Sequence, residues 1–154
     1  ASIATISPRA SRSIDSSSGE LNPAMEGLYH YGVHTIEMVD AIWGPGVRRA
    51  SAIELPDRHL VDLEYADGRY ARLRLERKGA YEFGTTIHGT KSVQQFKVDF
   101  GPVYSRLVRG MVGFFTDGKA PVDLRDIVEN VLVIEAGNRS IREQGAWIEV
   151  QRPI

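Results

Sequence analysis

The most constraining segment of this chain is a run of strict alternation around one turn. Val61, Leu63 and Tyr65 alternate with Asp62 and Glu64, and after Asp67-Gly68 the residues Ala71, Leu73 and Leu75 alternate with Arg72, Arg74 and Glu76. A period of two with one apolar and one charged face is the mark of a β-hairpin that is buried on one side only. Parity then selects the turn. A two-residue loop at Asp67-Gly68 would pair Leu63 with Arg72 and mix apolar with charged side chains on one face. A three-residue loop, Ala66-Asp67-Gly68, pairs Leu63 with Ala71, Val61 with Leu73 and Asp62 with Arg72, and it gives Gly68 the left-handed position of a bulged turn. The second register is expected.

The rest of the chain is read outward from that hairpin. Ala1 to Ile6 suits a short strand, and the Ser-, Pro- and Arg-rich stretch Ser7 to Pro23 reads as a long loop. Glu26 to Trp43 reads as a helix with Val33, Ile36, Val39 and Ile42 on its apolar side, stopped by Gly44-Pro45-Gly46. Val47 to Leu55 suits a strand broken by Pro56. Tyr81 to Ile87 and Lys91 to Val98 suit two more, with His88-Gly89-Thr90 between them. Gly101-Pro102 opens a helix bearing Tyr104, Leu107, Val108, Met111 and Phe115, and Asp117-Gly118 ends it. Asp123 is a good N-cap for a further helix, with Leu124, Ile127, Val128, Val131 and Ile134 as its apolar face, running toward Gln144-Gly145. Trp147 to Val150 suits a last strand. Hairpin connections dominate and helices do not alternate with strands, so the expected class is α+β, a mostly antiparallel open sheet with helices packed on one face.

Size and composition exclude several functions. At 154 residues, 42% hydrophobic and 25% charged, the chain is expected to form one globular domain, 1–154. With a net charge of -1 and basic residues interspersed with acids, neither a nucleic-acid partner nor a membrane partner is expected. No apolar run is long enough to span a bilayer. The absence of cysteine removes disulfides, thiolate catalysis and Cys-based zinc sites, and a cytoplasmic location is expected. There is no G-x-G-x-x-G, no phosphate loop and no G-x-S-x-G elbow, so no nucleotide-binding element is expected in the chain itself. The chain begins at Ala1, which suits a domain cut from a longer protein.

One segment gathers polar groups of chemical interest. His30 and His34 lie four residues apart, with Glu26 and Glu37 near them and Tyr29 and Tyr31 flanking His30. On a helix that spacing puts both imidazoles on one face. Three readings stay open from spacing alone: a pair of partly buried structural histidines, a metal site completed by a glutamate, and acid-base chemistry at an imidazole that titrates near neutrality.

The segment Gly27 to Val39 resembles the helix that opens the C-terminal domain of the Gfo/Idh/MocA oxidoreductases, the glucose–fructose oxidoreductase and inositol dehydrogenase relatives. Members of that family typically read G-x-x-x-D-x-G-x-H-x-x-D. Gly32, His34 and the closing Gly44 match, Glu37 replaces the last Asp, and His30 stands where many members carry Asp. Tyr65 to Arg69, Ile87 to Lys91, Phe114 to Val122 and Val133 to Ser140 are similar to later stretches of the same domain. The resemblance implies the substrate-binding and oligomerisation half of an NAD(P)-dependent enzyme acting on a sugar, cyclitol or similar alcohol or ketone. It implies NAD or NADP held by an N-terminal Rossmann half absent from this chain, and a homo-oligomer formed through the sheet. It makes His34 the acid-base residue and His30 a substrate-orienting or second acid-base group, with Tyr29, Tyr31, Glu20 and Asn22 as substrate contacts. A non-catalytic binding or assembly module reusing the fold is the alternative.

Overall fold

In a computed structural model, the structure describes residues 11–18, 27–78, 80 and 82–151. The strands are β1 (Ser11–Ser18), β2 (Val47–Leu55), β3 (Arg58–Tyr65), β4 (Tyr70–Glu76), β5 (Gly84–Gly89), β6 (Val93–Lys97) and β7 (Ile148–Glu149). The helices are α1 (Gly32–Trp43), α2 (Val103–Asp117) and α3 (Leu124–Arg142). Among the described residues the strands form one open seven-stranded sheet in the order β6-β5-β1-β4-β3-β2-β7. Each pairing is antiparallel except that of β1 with β4. The architecture is α+β, as expected.

The β3–β4 hairpin takes the expected register. Leu63 pairs with Ala71, Val61 with Leu73 and Asp62 with Arg72. Gly68 sits at φ +83°, and its N–H donates to the Tyr65 carbonyl at 3.1 Å. The buried face carries Val61, Leu63, Ala71, Leu73 and Leu75, extended by Ala50 and Ala52 of β2, Ile14 of β1 and Ile87 of β5. On the other face the charges pair within the sheet. Arg72 donates to Asp62 at 2.8 and 2.9 Å, Arg49 to Glu64 at 2.6 Å, and Arg74 lies 2.8 Å from Glu76. Glu76, expected on a solvated face, is buried at 7% exposure.

Three expectations are corrected. The stretch Ser7 to Pro23 is not all loop, because β1 occupies Ser11–Ser18 in the middle of the sheet. Its serines are poor strand formers on their own, but pairing on both sides overrides propensity. Ile14 is fully buried and the Ser16 and Thr85 hydroxyls meet at 2.7 Å. The expected strand Ala1 to Ile6 lies outside the described residues. Secondly, α1 starts at Gly32 rather than Glu26, and Gly27 to Tyr31 form a turn.

The third correction concerns which side of α3 faces the sheet. Leu124, Ile127, Val128 and Val131 are exposed, and only Ile134 of that set is buried. The covered side carries Glu129, Asn130, Val133, Ala136, Gly137, Asn138 and Ser140. Glu129, Asn138 and Ser140 bond to backbone and Asn130 to the Asp40 side chain, which is what makes their burial tolerable. A Glu129 carboxylate oxygen accepts from the N–H groups of Gly46 and Val47, the latter at 3.0 Å. Ser140 Oγ accepts from the Ala52 N–H at 2.8 Å, and Asn138 Oδ1 accepts from the Leu28 N–H at 2.9 Å. Gly137 lets the helix approach closely, since a Cβ there would lie 2.6 Å from Leu28 Cδ1. Asp123 caps α3 as expected, accepting from the Arg125 N–H. α2 spans the expected residues, but none of them is buried, so of the three helices only α1 and α3 pack on the sheet.

Candidate functional site

α1 crosses the sheet with Ile36, Val39 and Trp43 turned inward, which leaves His34, Glu37 and Ala41 on its open side. His34 is in the first turn of the helix, its N–H donating to the Tyr31 carbonyl at 3.2 Å. Its Nδ1 is 3.2 Å from Glu37 Oε2. A carboxylate only accepts, so the hydrogen bond fixes the proton on Nδ1 and leaves Nε2 as the basic nitrogen of the neutral ring.

The imidazole stands in an aromatic setting. The ring of Tyr31 meets it edge-on at 5.4 Å and that of Phe83 at 6.4 Å, and Phe83 in turn meets Phe100 at 5.3 Å. These residues wall an open cleft of about 750 Å³, floored by Met38 and Ala41 and reaching Val103 at the start of α2. Lys97 and Glu82 form its charged rim, paired at 2.6 Å. The volume and the mix of an apolar wall with few polar groups suit a small organic ligand. On the inner side of the same helix, burial and the nearby carboxylates of Asp126 and Glu129 push the Asp40 carboxyl above its ordinary range.

The expected site residues divide. His34 and Tyr31 line the cleft together with Glu37. His30 lies in the preceding turn, half-buried, and meets the edge of Tyr31 at 4.6 Å without lining the cleft. Tyr29 is exposed in the same turn and also does not line it. Glu20 and Asn22 lie outside the described residues. Since His30 is not on α1, the one-faced histidine pair that the metal reading used is not formed, and among the described residues no group of three or more His, Asp or Glu side chains is placed to hold a metal ion. Phe83, Lys97 and Phe100 escaped the sequence reading. Phe83 lies just before β5, Lys97 ends β6 and Phe100 lies beyond it, and only the sheet order carries them to α1. Among the described residues no helix is long and apolar enough to cross a membrane.

Neither a family model nor a curated protein matches the sequence. Solved structures do match the fold. GenD2 from gentamicin A biosynthesis, in complex with NAD, superposes with a TM-score of 0.76 at 16% identity, covering 93% of this chain and 56% of that one. Apo scyllo-inositol dehydrogenase from Lactobacillus casei gives a TM-score of 0.80 at 14% identity, covering 92% and 56%. Myo-inositol 2-dehydrogenase from Lactobacillus plantarum gives 0.72 at 13% identity, covering 92% and 57%. The chain thus spans little more than half the length of these structures, and over that span it has the fold of inositol dehydrogenases and related Gfo/Idh/MocA-type oxidoreductases.

Proposed function

We propose that this chain is the catalytic, substrate-facing half of an NAD(P)-dependent oxidoreductase that acts on a sugar, cyclitol or similar alcohol or ketone. One observation carries the reading: the His34 imidazole, its tautomer set by Glu37, stands at an aromatic-walled cleft on a fold shared with NAD-bound and inositol-bound dehydrogenases. In the oxidative direction, Nε2 of neutral His34 takes the proton of the substrate hydroxyl while the carbinol carbon gives up its hydride and becomes a carbonyl. In the reductive direction the imidazolium returns that proton to the carbonyl oxygen. Glu37 stabilises the imidazolium in both.

NAD(P), when bound, accepts or supplies the hydride. The chain has no glycine fingerprint to cradle its pyrophosphate. The dinucleotide would therefore rest on a Rossmann half outside these residues. Tyr31 would contact the substrate within the cleft. His30 would hold Tyr31 in place from the side, and Glu20 and Asn22 would be further substrate contacts.

The test is the protein carrying its nucleotide-binding half. It should reduce NAD(P)⁺ with a cyclitol or sugar, and His34→Ala should lower kcat by roughly 10²–10⁴-fold while dinucleotide affinity stays unchanged. Unchanged turnover in that variant would overturn the role of His34.

A further inference from the structure

The cleft at His34 changes character along its length. Tyr31, His34 and Glu37, its polar side chains on the helix side, belong to the turn before α1 and to the start of that helix. A helix rises about 1.5 Å per residue, so Met38 stands about 6 Å and Ala41 about 10 Å beyond His34 along the axis. Over that floor stand Phe83, Val98 and Phe100. The Val98 N–H donates to the Phe83 carbonyl at 2.8 Å, and the two phenyl rings meet edge-on at 5.3 Å. The other polar lining is Lys97 and Glu82, paired with each other at 2.6 Å on the rim. Apart from that pair, the arm of the cleft beyond Glu37 presents no hydrogen-bonding side chain among the described residues.

We infer that this arm takes an apolar aglycone, an aromatic or short alkyl group joined to the sugar or cyclitol whose carbinol meets His34; the inference rests on the reaction proposed above. A free polyol carries a hydroxyl on nearly every ring carbon. Seated at His34 it can lay the hydrogens of one face on Phe83, but a single ring does not span the distance to Ala41. Any hydroxyl pushed further into the arm loses its water and gains no side-chain partner. An aromatic group loses nothing there. It can meet Phe83 and Phe100 in the edge-on geometry that ring pairs prefer, and the Met38 thioether adapts to a ring laid on it. The shape selects a small group rather than a protein face. The arm is part of a concave cleft of about 750 Å³, the size of a ligand pocket, and it opens directly onto the His34 imidazole. A neighbouring domain meets a broad surface instead, and the exposed stripe of α2 is such a surface; of that helix only Val103 lines the cleft.

The test compares phenyl with methyl glycosides of the common hexoses in the protein carrying its nucleotide-binding half. Calorimetry should give the phenyl glycoside a Kd lower by roughly tenfold to a hundredfold, the effect of burying one aromatic ring, and kcat/KM should favour it by a similar factor. Ala41 is exposed on the floor of the arm, so Ala41→Glu should leave the fold intact by circular dichroism and erase both preferences. His34→Ala should cut turnover and keep the phenyl preference in Kd, which separates the arm from the reaction. Equal Kd for phenyl and methyl glycosides, as when the other half of the protein fills the arm, would overturn the inference, and so would a phenyl preference that survives Ala41→Glu. A phenyl preference erased by Ala41→Glu, with no turnover of any glycoside, would uphold the ligand class and overturn only the proposed reaction.

Discussion

At the scale of single residues, two histidines occupy opposite environments. His34 is half-exposed beside Glu37, and under the proposed function its contribution is kinetic. Replacing Glu37 by Gln removes a charge-assisted hydrogen bond of about 1.5–3 kcal/mol, so kcat should fall by roughly tenfold to a hundredfold, less than for His34→Ala; an unchanged rate would show that Glu37 does not orient the ring. His59 has no exposure at all. Burial first, and then the Arg77 guanidinium, lower its pKa to about 4, while Glu54 acts weakly in the other direction. Arg77 Nη2 is 3.2 Å from His59 Nε2, and Nδ1 has no hydrogen-bond partner among the described residues. The folded state therefore disfavours the protonated ring. Stability from this group is complete above the ordinary histidine pKa of 6.5 and is lost as pH falls from there toward 4, by about 1.4 kcal/mol per unit. Urea unfolding at stepped pH should show that loss, and His59→Phe should flatten it. Spacing in the sequence pointed to His30 and His34 and was silent on His59, because the surroundings of β3 are assembled from β2, β4 and the residue beyond β4.

At the scale of elements, the alternating hairpin was fully legible, since period, parity and one glycine leave a single register. The contact of α3 with the sheet was not. Helical periodicity marks the apolar stripe, and here the side that meets the sheet is built from small and polar residues with specific backbone partners. Gly137→Ala would place a methyl group 2.6 Å from Leu28 Cδ1, inside a fully buried side chain. Despite alanine's better helix propensity, it should destabilise by about 1–3 kcal/mol. Asn138→Leu should cost about as much, because it leaves the buried Leu28 N–H without its acceptor. Both would loosen the turn that carries Tyr29, His30 and Tyr31, so thermal unfolding and the rate of amide exchange at Leu28 would report them. A thermal midpoint unchanged in both variants would show that α3 does not hold that turn.

At the scale of the whole molecule, one surface is charged and internally paired, and another, on α2, is apolar and exposed among the described residues. Any association of copies through the outer, charged sheet face should weaken in high salt, because salt screens ion pairs, and sedimentation in low and high salt measures it. The sequence by itself determined the α+β class, the hairpin register and the ends of α2 and α3, because each rests on local periodicity, capping or spacing, while His34 became a candidate only through the resemblance of its helix to a family motif. Only the tertiary structure decided that β1 is a central strand, that His30 leaves the helix, that Phe83 and Phe100 wall the cleft, and that no described residue buries α2. Those outcomes depend on which distant segments meet, and pairing energy between strands far apart in sequence overrides what each segment prefers alone.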